Sequence, residues 1–306
     1  MRNNSLAFAA VIGAVVVALA VWGYRPAPAT ARVTKAIVTL PPGVSFSTSP
    51  AQFAVSPDGQ QIAMNLTSAE GTRVWIWRVD GVDSRPIAGT DGVSSTPAWS
   101  PDSLNIAFVS GGKLRRTSGA GGLVEAICEL APTGTFDWGA DGTILLAAGG
   151  QEPIRRVAAD GGNTVRQLTR LYPDEQHEVP RFVPGSRRFL FFVRADALRE
   201  GVWVGSFDGG MAHRLLPHAT TAVVAGEFIV YALDGLVVAQ RFSGDTLELA
   251  GTPVPLADQV MLDERSMRPS FSVAAGSHPI LVFQGATDHA LHLTNGWPAL
   301  VAAKSP

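Results

Sequence analysis

The chain writes one turn twice, as FAVSPDGQQIAM at residues 53–64 and as PAWSPDSLNIAF at residues 97–108. In the first copy two apolar runs, Phe53 to Val55 and Ile62 to Met64, flank Ser56-Pro57-Asp58-Gly59. Pro57 presets φ, Asp58 bonds its own backbone two residues on, and Gly59 accepts a positive φ at no steric cost. The pattern predicts a tight β-hairpin with a bulge at the glycine. The second copy keeps Pro101 and Asp102 but puts Ser103 where Gly59 stood. There a residue with a Cβ takes the left-handed position or the turn rearranges.

A recurrence at roughly 40 to 50 residues marks a stacked or radial array. Further copies follow: FDWGADGTILLA at 136–147, PRFVPGSRRFLFFV at 180–193, AVVAGEFIVYALDG at 222–235 and PSFSVAAGSHPILVF at 269–283. Behind each comes a second strand with a second glycine turn, such as RVWIWRVDG at 73–81 or GVWVGSFDGG at 201–210. Six copies of three or four strands, at about 43 residues per copy, predict an all-β fold, a six-bladed β-propeller. The 32 glycines and 21 prolines supply the turns, and a charged fraction of 16% suits strands buried between neighbours. Pro57, Asp58, Gly59, Pro101, Asp102, Asp141 and Gly142 are then turn formers, while Trp99 and Trp138 are core residues between blades. After ALHLTNG at 290–296 the sixth copy has no outer strand of its own, and VTKAIVTL at 33–40 is the segment expected to complete it. That closure removes an exposed sheet edge.

The N-terminus reads differently. LAFAAVIGAVVVALAVW, residues 6–22, is an uncharged apolar run at the short end of what spans a bilayer and the long end of a signal-peptide core. The expected organisation is a short tail at 1–5, a single transmembrane (or signal) helix at 6–23, a Pro/Ala linker at 24–36 and the propeller at 37–306. Ala29-Thr30-Ala31 offers a cleavage site, but Arg25 and two prolines stand between it and the apolar run, which favours a retained anchor. Flanking charge does not orient it, since Arg2 lies on one side and Arg25, Arg32 and Lys35 on the other.

Composition excludes several classes. The formal charge is −2, and without residues 1–31 the chain has 22 bases against 26 acids, so no basic field invites nucleic acid. The single Cys128 excludes an internal disulfide framework and reads as a small buried hydrophobe. No Gly-x-Ser-x-Gly elbow is present, one carboxylate per turn falls far short of a calcium site, and no cofactor or metal is expected. One polar cluster stands out in YPDEQHEVP at 172–180. Asp174, Glu175, His177 and Glu178 lie in the loop feeding the innermost strand of blade four, at a mouth of the central channel, and are the candidate ligand or partner contacts. A catalytic alternative, a lyase or glycan hydrolase, requires two carboxylates about 5 to 10 Å apart across the channel.

The phrases VTLPPGVSF (38–46), GTDGVSSTPAWSPDS (89–103) and GTPVPLADQV (251–260), with FDWGADGTILLA, carry a resemblance. They look like the extracytoplasmic propeller of bacterial membrane-anchored serine/threonine kinases and winged-helix regulators, which is similar to the TolB-type propeller. The likeness runs from Val33 to about Phe283. It implies a non-enzymatic sensor or scaffold on the periplasmic, extracytoplasmic side of the bacterial cytoplasmic membrane, binding a protein, peptide or small ligand of the cell envelope. MRNNS alone precedes the apolar run, so no kinase or recognition-helix domain is expected within this sequence.

Overall fold

The repeated turn folds as a bonded unit. In blade 1, Ser56 Oγ donates to Asp58 Oδ1 (2.5 Å) and accepts from Gln61 N (2.9 Å), while Gln60 N donates to the same carboxylate oxygen (3.0 Å). Blade 2 repeats every bond with Ser100, Asp102, Leu104 and Asn105. Ser103 does take the left-handed conformation, at φ 62°, and its hydroxyl accepts from Asp58 N of blade 1 (3.1 Å). That bond between blades offsets the strain of a Cβ at positive φ. The expected bulge is absent: pairing from Phe53↔Met64 to Val55↔Ile62 runs without a shift, and Ser56 N to Gln61 O closes a plain loop.

These hairpins belong to a computed structural model in which residues 33–81, 84–162, 165–263 and 268–304 are described. The chain divides into two units, Met1–Arg32 and Val33–Pro306, and the hairpins belong to the second. The tail expected at 1–5, the apolar helix expected at 6–23 and residues 24–32 of the expected linker lie outside the described residues. Among those described, no helix is long and apolar enough to cross a membrane.

Six antiparallel sheets form the blades of a propeller. Their innermost strands, A, are Phe53–Val55, Ala98–Trp99, Thr135–Trp138, Gln176–Phe182, Ala222–Ala225 and Phe271–Ala274; B, C and D follow outward. Blade 6 takes its D strand from the opposite end of the described chain. Thr34–Val38 pairs antiparallel with Leu291–Asn295, from Thr34↔Asn295 to Val38↔Leu291. The ring therefore closes as expected, with the strand starting inside the stretch read as linker. Lys35 and Ala36 complete ladder bonds there that a solvated linker would leave unmade. Because Asn295 also pairs with Ile280, beside the A–B turn of blade 6, the chain enters the ring at the face of the A–B turns.

The core is not one mass but six buried clusters, one in each seam between blades. The period of two explains this: Phe108 faces blade 1 while its neighbours Ala107 and Val109 face blade 3. Trp99 is 5% exposed in the first seam and its indole N–H donates to Ala54 O (3.0 Å). Trp138, expected to be equally enclosed, is only half-buried, packing one edge on the seam between blades 2 and 3 and lining the channel with the rest. Among the described residues the exception to β structure is a short helix, α1 (Pro298–Lys304). Proline at its first position has the right φ and no N–H to leave unbonded. Ahead of it, fully buried Trp297 donates to Ala274 O (3.0 Å).

Candidate functional site

The inner strands of all six blades surround a cavity of about 770 Å³. Its wall is mostly small, hydroxyl-bearing and aromatic, and among the described residues only Asp137, Arg181 and Asp263 bring charge to it. Asp137 and Arg181 occupy the same repeat position in blades 3 and 4, where blades 1 and 2 carry Ala54 and Ala98. They meet across the seam. Arg181 Nη1 lies 3.6 Å from Asp137 Oδ1 and donates to Phe136 O (3.2 Å), while Asp137 Oδ2 accepts from Phe182 N (2.8 Å). Burial pushes the Asp137 carboxyl above its ordinary value, opposed by the Arg181 charge and by the Phe182 N–H.

The same device recurs along the channel. The free edge of an inner strand has amides with no strand partner. In the neighbouring blade a side chain takes them: Ser272 Oγ accepts from Val55 N (2.9 Å) and Thr135 Oγ1 from Val179 N (3.0 Å). Among the described residues no side chain bonds the amides of Ala98–Trp99, Thr135–Trp138, Ala222–Ala225 or Phe271–Ala274, inner strands that each pair on one side only.

The four residues singled out in 172–180 divide. Asp174 is exposed, at φ 63°, in the loop before the strand. Glu175 (1% exposed), His177 (3%) and Glu178 (8%) are buried and do not line the cavity, so they are not open contacts at a mouth of the channel. Glu175 Oε2 accepts from Tyr172 N (3.1 Å) and lies 3.4 Å from His177 Nε2; its other oxygen pairs with Arg199. The Arg199 guanidinium sits over Tyr172 (4.4 Å) and Trp203 (4.8 Å). Thr169 Oγ1, 2.8 Å from His177 Nδ1, already accepts from Ile154 N, so its own proton is assigned to Nδ1 and the ring proton to Nε2, facing Glu175. Burial holds the His177 imidazole below its ordinary pKa, with Glu175 opposing and Arg199 adding to the shift. Glu178 pairs with Arg194 (3.2 Å). This is a buried network holding blade 3 to blade 4.

A bulge separates the two groups. Pairing slips between Glu178↔Phe192 and Arg181↔Leu190, with Val179 at φ 47°. The extra residue offsets the alternation, so Arg181 reaches the channel wall while His177 stays in the seam. Sequence reading passed over Asp137 and Arg181; the available signal was an acid and then a base at a position that holds alanine in the first two copies. The turn aspartates Asp58, Asp102 and Asp141 bond their own loops, as turn formers do. Among the described residues no group of three His, Cys, Asp or Glu side chains could hold a metal ion.

No protein-family model and no curated protein matches the chain. Solved structures do. The putative TolB from Agrobacterium tumefaciens matches with a TM-score of 0.52 at 14% identity, over 80% of this chain and 89% of that one. An oligogalacturonate lyase in complex with manganese matches with a TM-score of 0.53 at 12% identity, over 89% and 95%. TolB from Acinetobacter baumannii gives 0.49 at 13% identity, over 80% of this chain but only 54% of that chain, so the likeness spans about half its length. At such identities the likeness is one of fold, that of TolB-like six-bladed propellers.

Proposed function

We propose that this protein is a membrane-anchored, extracytoplasmic binding propeller that holds a protein, peptide or small ligand of the bacterial cell envelope in its channel, as a sensor or scaffold. The observation carrying this reading is the channel cavity, walled by all six blades and charged chiefly at Asp137 and Arg181. Propellers offer a rigid ring in which inner-strand side chains converge on one space.

The test is retention of envelope components on the immobilised full chain in detergent, beside a channel variant carrying Trp138→Ala and Arg181→Ala. A component kept by the wild type and released by the variant supports binding in the channel. Equal retention by both overturns it. A second reading, a lyase or glycan hydrolase, draws on Asp137 in blade 3 and Asp263 in the hairpin between blades 5 and 6, two carboxylates on the cavity wall. Turnover of an acidic oligosaccharide, lost in Asp137→Asn, would favour it.

A further inference from the structure

The channel reading leaves the ligand's chemistry open, and the inference below rests on that reading. Among the described residues Arg181 is the only base on the cavity wall. It is held by one corner: Nη1 donates to Phe136 O, and the contact to Asp137 at 3.6 Å is longer than a hydrogen bond. Nε and Nη2 donate to no acceptor among the described residues, and the side chain is 32% exposed. A guanidinium so placed presents a fork that matches a carboxylate in two parallel bonds. Asp137 engages only part of it, because one carboxylate oxygen is taken by Phe182 N and the other stands 3.6 Å from Nη1, away from Nε and Nη2.

A second, independent feature lies elsewhere on the wall. Four inner strands keep their channel-side edge free of side-chain partners, and of these Ala222–Ala225 belongs to blade 5, which packs against the blade that carries Arg181. Such an edge bonds the backbone of an extended peptide. Around it the wall is Val223, Val224, Val273 and Ala274 with the hydroxyls of Thr221, Ser270 and Ser272 beside them, a mixed surface that suits the side chains and backbone of a peptide.

We propose that the channel takes the C-terminal end of an extended polypeptide, its free α-carboxylate bonded by the Arg181 fork and its backbone laid along the open edge of blade 5.

The probe is a pool of tetrapeptides randomised at every position, offered to the full chain in detergent as free acids and, separately, as C-terminal amides, with tri-galacturonate as a third arm. Retained species are identified by mass spectrometry and the best ones titrated calorimetrically. The expected result is retention of acids over amides by about 10-fold or more in the wild type, the effect of losing charge-assisted bonds. Arg181→Gln should erase the preference and Arg181→Lys, which keeps charge without the fork, should restore only part of it. Near-ultraviolet circular dichroism checks that both variants stay folded. Acids and amides retained equally, and both released by Trp138→Ala, would overturn the carboxylate assignment and leave channel binding standing. Preference for acids that persists in Arg181→Gln would overturn the role of Arg181. Arg181-dependent binding of tri-galacturonate alone would overturn the polypeptide, and retention of no probe at all would overturn the carboxylate assignment, the channel reading being decided by retention of envelope components.

Discussion

The two ends of one strand, Gln176–Phe182, make opposite use of charge. Before the bulge, Glu175 and His177 are sealed in the seam between blades 3 and 4, with every polar atom aimed at a protein partner. Beyond it, Arg181 stands on the channel wall with donors to spare. A few residues of chain separate the two settings. The difference teaches that an acid–histidine cluster is not by itself a site, because the same residue types satisfy one another wherever water is excluded. The residues able to meet a ligand are those whose bonding is left incomplete where the wall is open.

The same contrast between seam and channel holds for two tryptophans at matched positions, and it offers the largest test. Trp99→Ala, almost wholly enclosed in its seam, should lower stability by about 3 to 5 kcal/mol, and Trp138→Ala, only half-buried, by about 1 to 2 kcal/mol. Urea unfolding followed by far-ultraviolet circular dichroism measures both. Equal losses would break the contrast.

Next in size, Glu175→Ala strands the Tyr172 amide and the His177 ring proton, and should cost about 3 kcal/mol by the same assay. Arg181→Ala should cost about 1 kcal/mol, the single bond to Phe136 O. If Arg181→Ala proved the more damaging, Arg181 would be a structural strut rather than a contact.

The smallest and sharpest test is pH. Because burial depresses the folded pKa of His177, the unfolded chain binds more protons as pH falls below the ordinary value of 6.5. Stability is full above 6.5 and is lost on descending toward the depressed value. Asp137 has the reverse sign. Its carboxyl is raised above 3.8, so its contribution is full below 3.8 and is lost as pH rises through the raised value. Unfolding midpoints of His177→Gln and Asp137→Asn against wild type, from pH 3.5 to 8, should show slopes of opposite sign removed. A shared sign would mean that burial does not govern both groups, since it shifts a base and an acid in opposite directions.

Much of this was legible in residue order. The Ser-Pro-Asp-Gly loop specifies its hairpin by local bonds, the copies specify the ring, and the missing sixth outer strand pointed to residues 33–40 for closure. The turn glycines show where legibility stops. Gly59 and Gly142 share φ 74° and the same place in their copies. A Cβ on Gly142 would meet nothing within 4 Å, whereas one on Gly59 would come within 1.9 Å of His278 O in blade 6. Both need glycine for conformation, and only one needs it for the approach of another blade. Likewise YPDEQHEVP announced a polar cluster, but nothing local says that a bulge at Val179 turns one part inward and the other to the channel.

What the sequence by itself determined is whatever depends on neighbours along the chain: strand period, turn chemistry, the number of blades and the strand that closes them. Only the tertiary structure decided which charged residues face the cavity and which are consumed in a seam. That outcome depends on side chains about 45 residues apart meeting across two blades, as Asp137 and Phe182 do. A register shift of a single residue reverses it, because alternation along a strand moves each side chain to the other side.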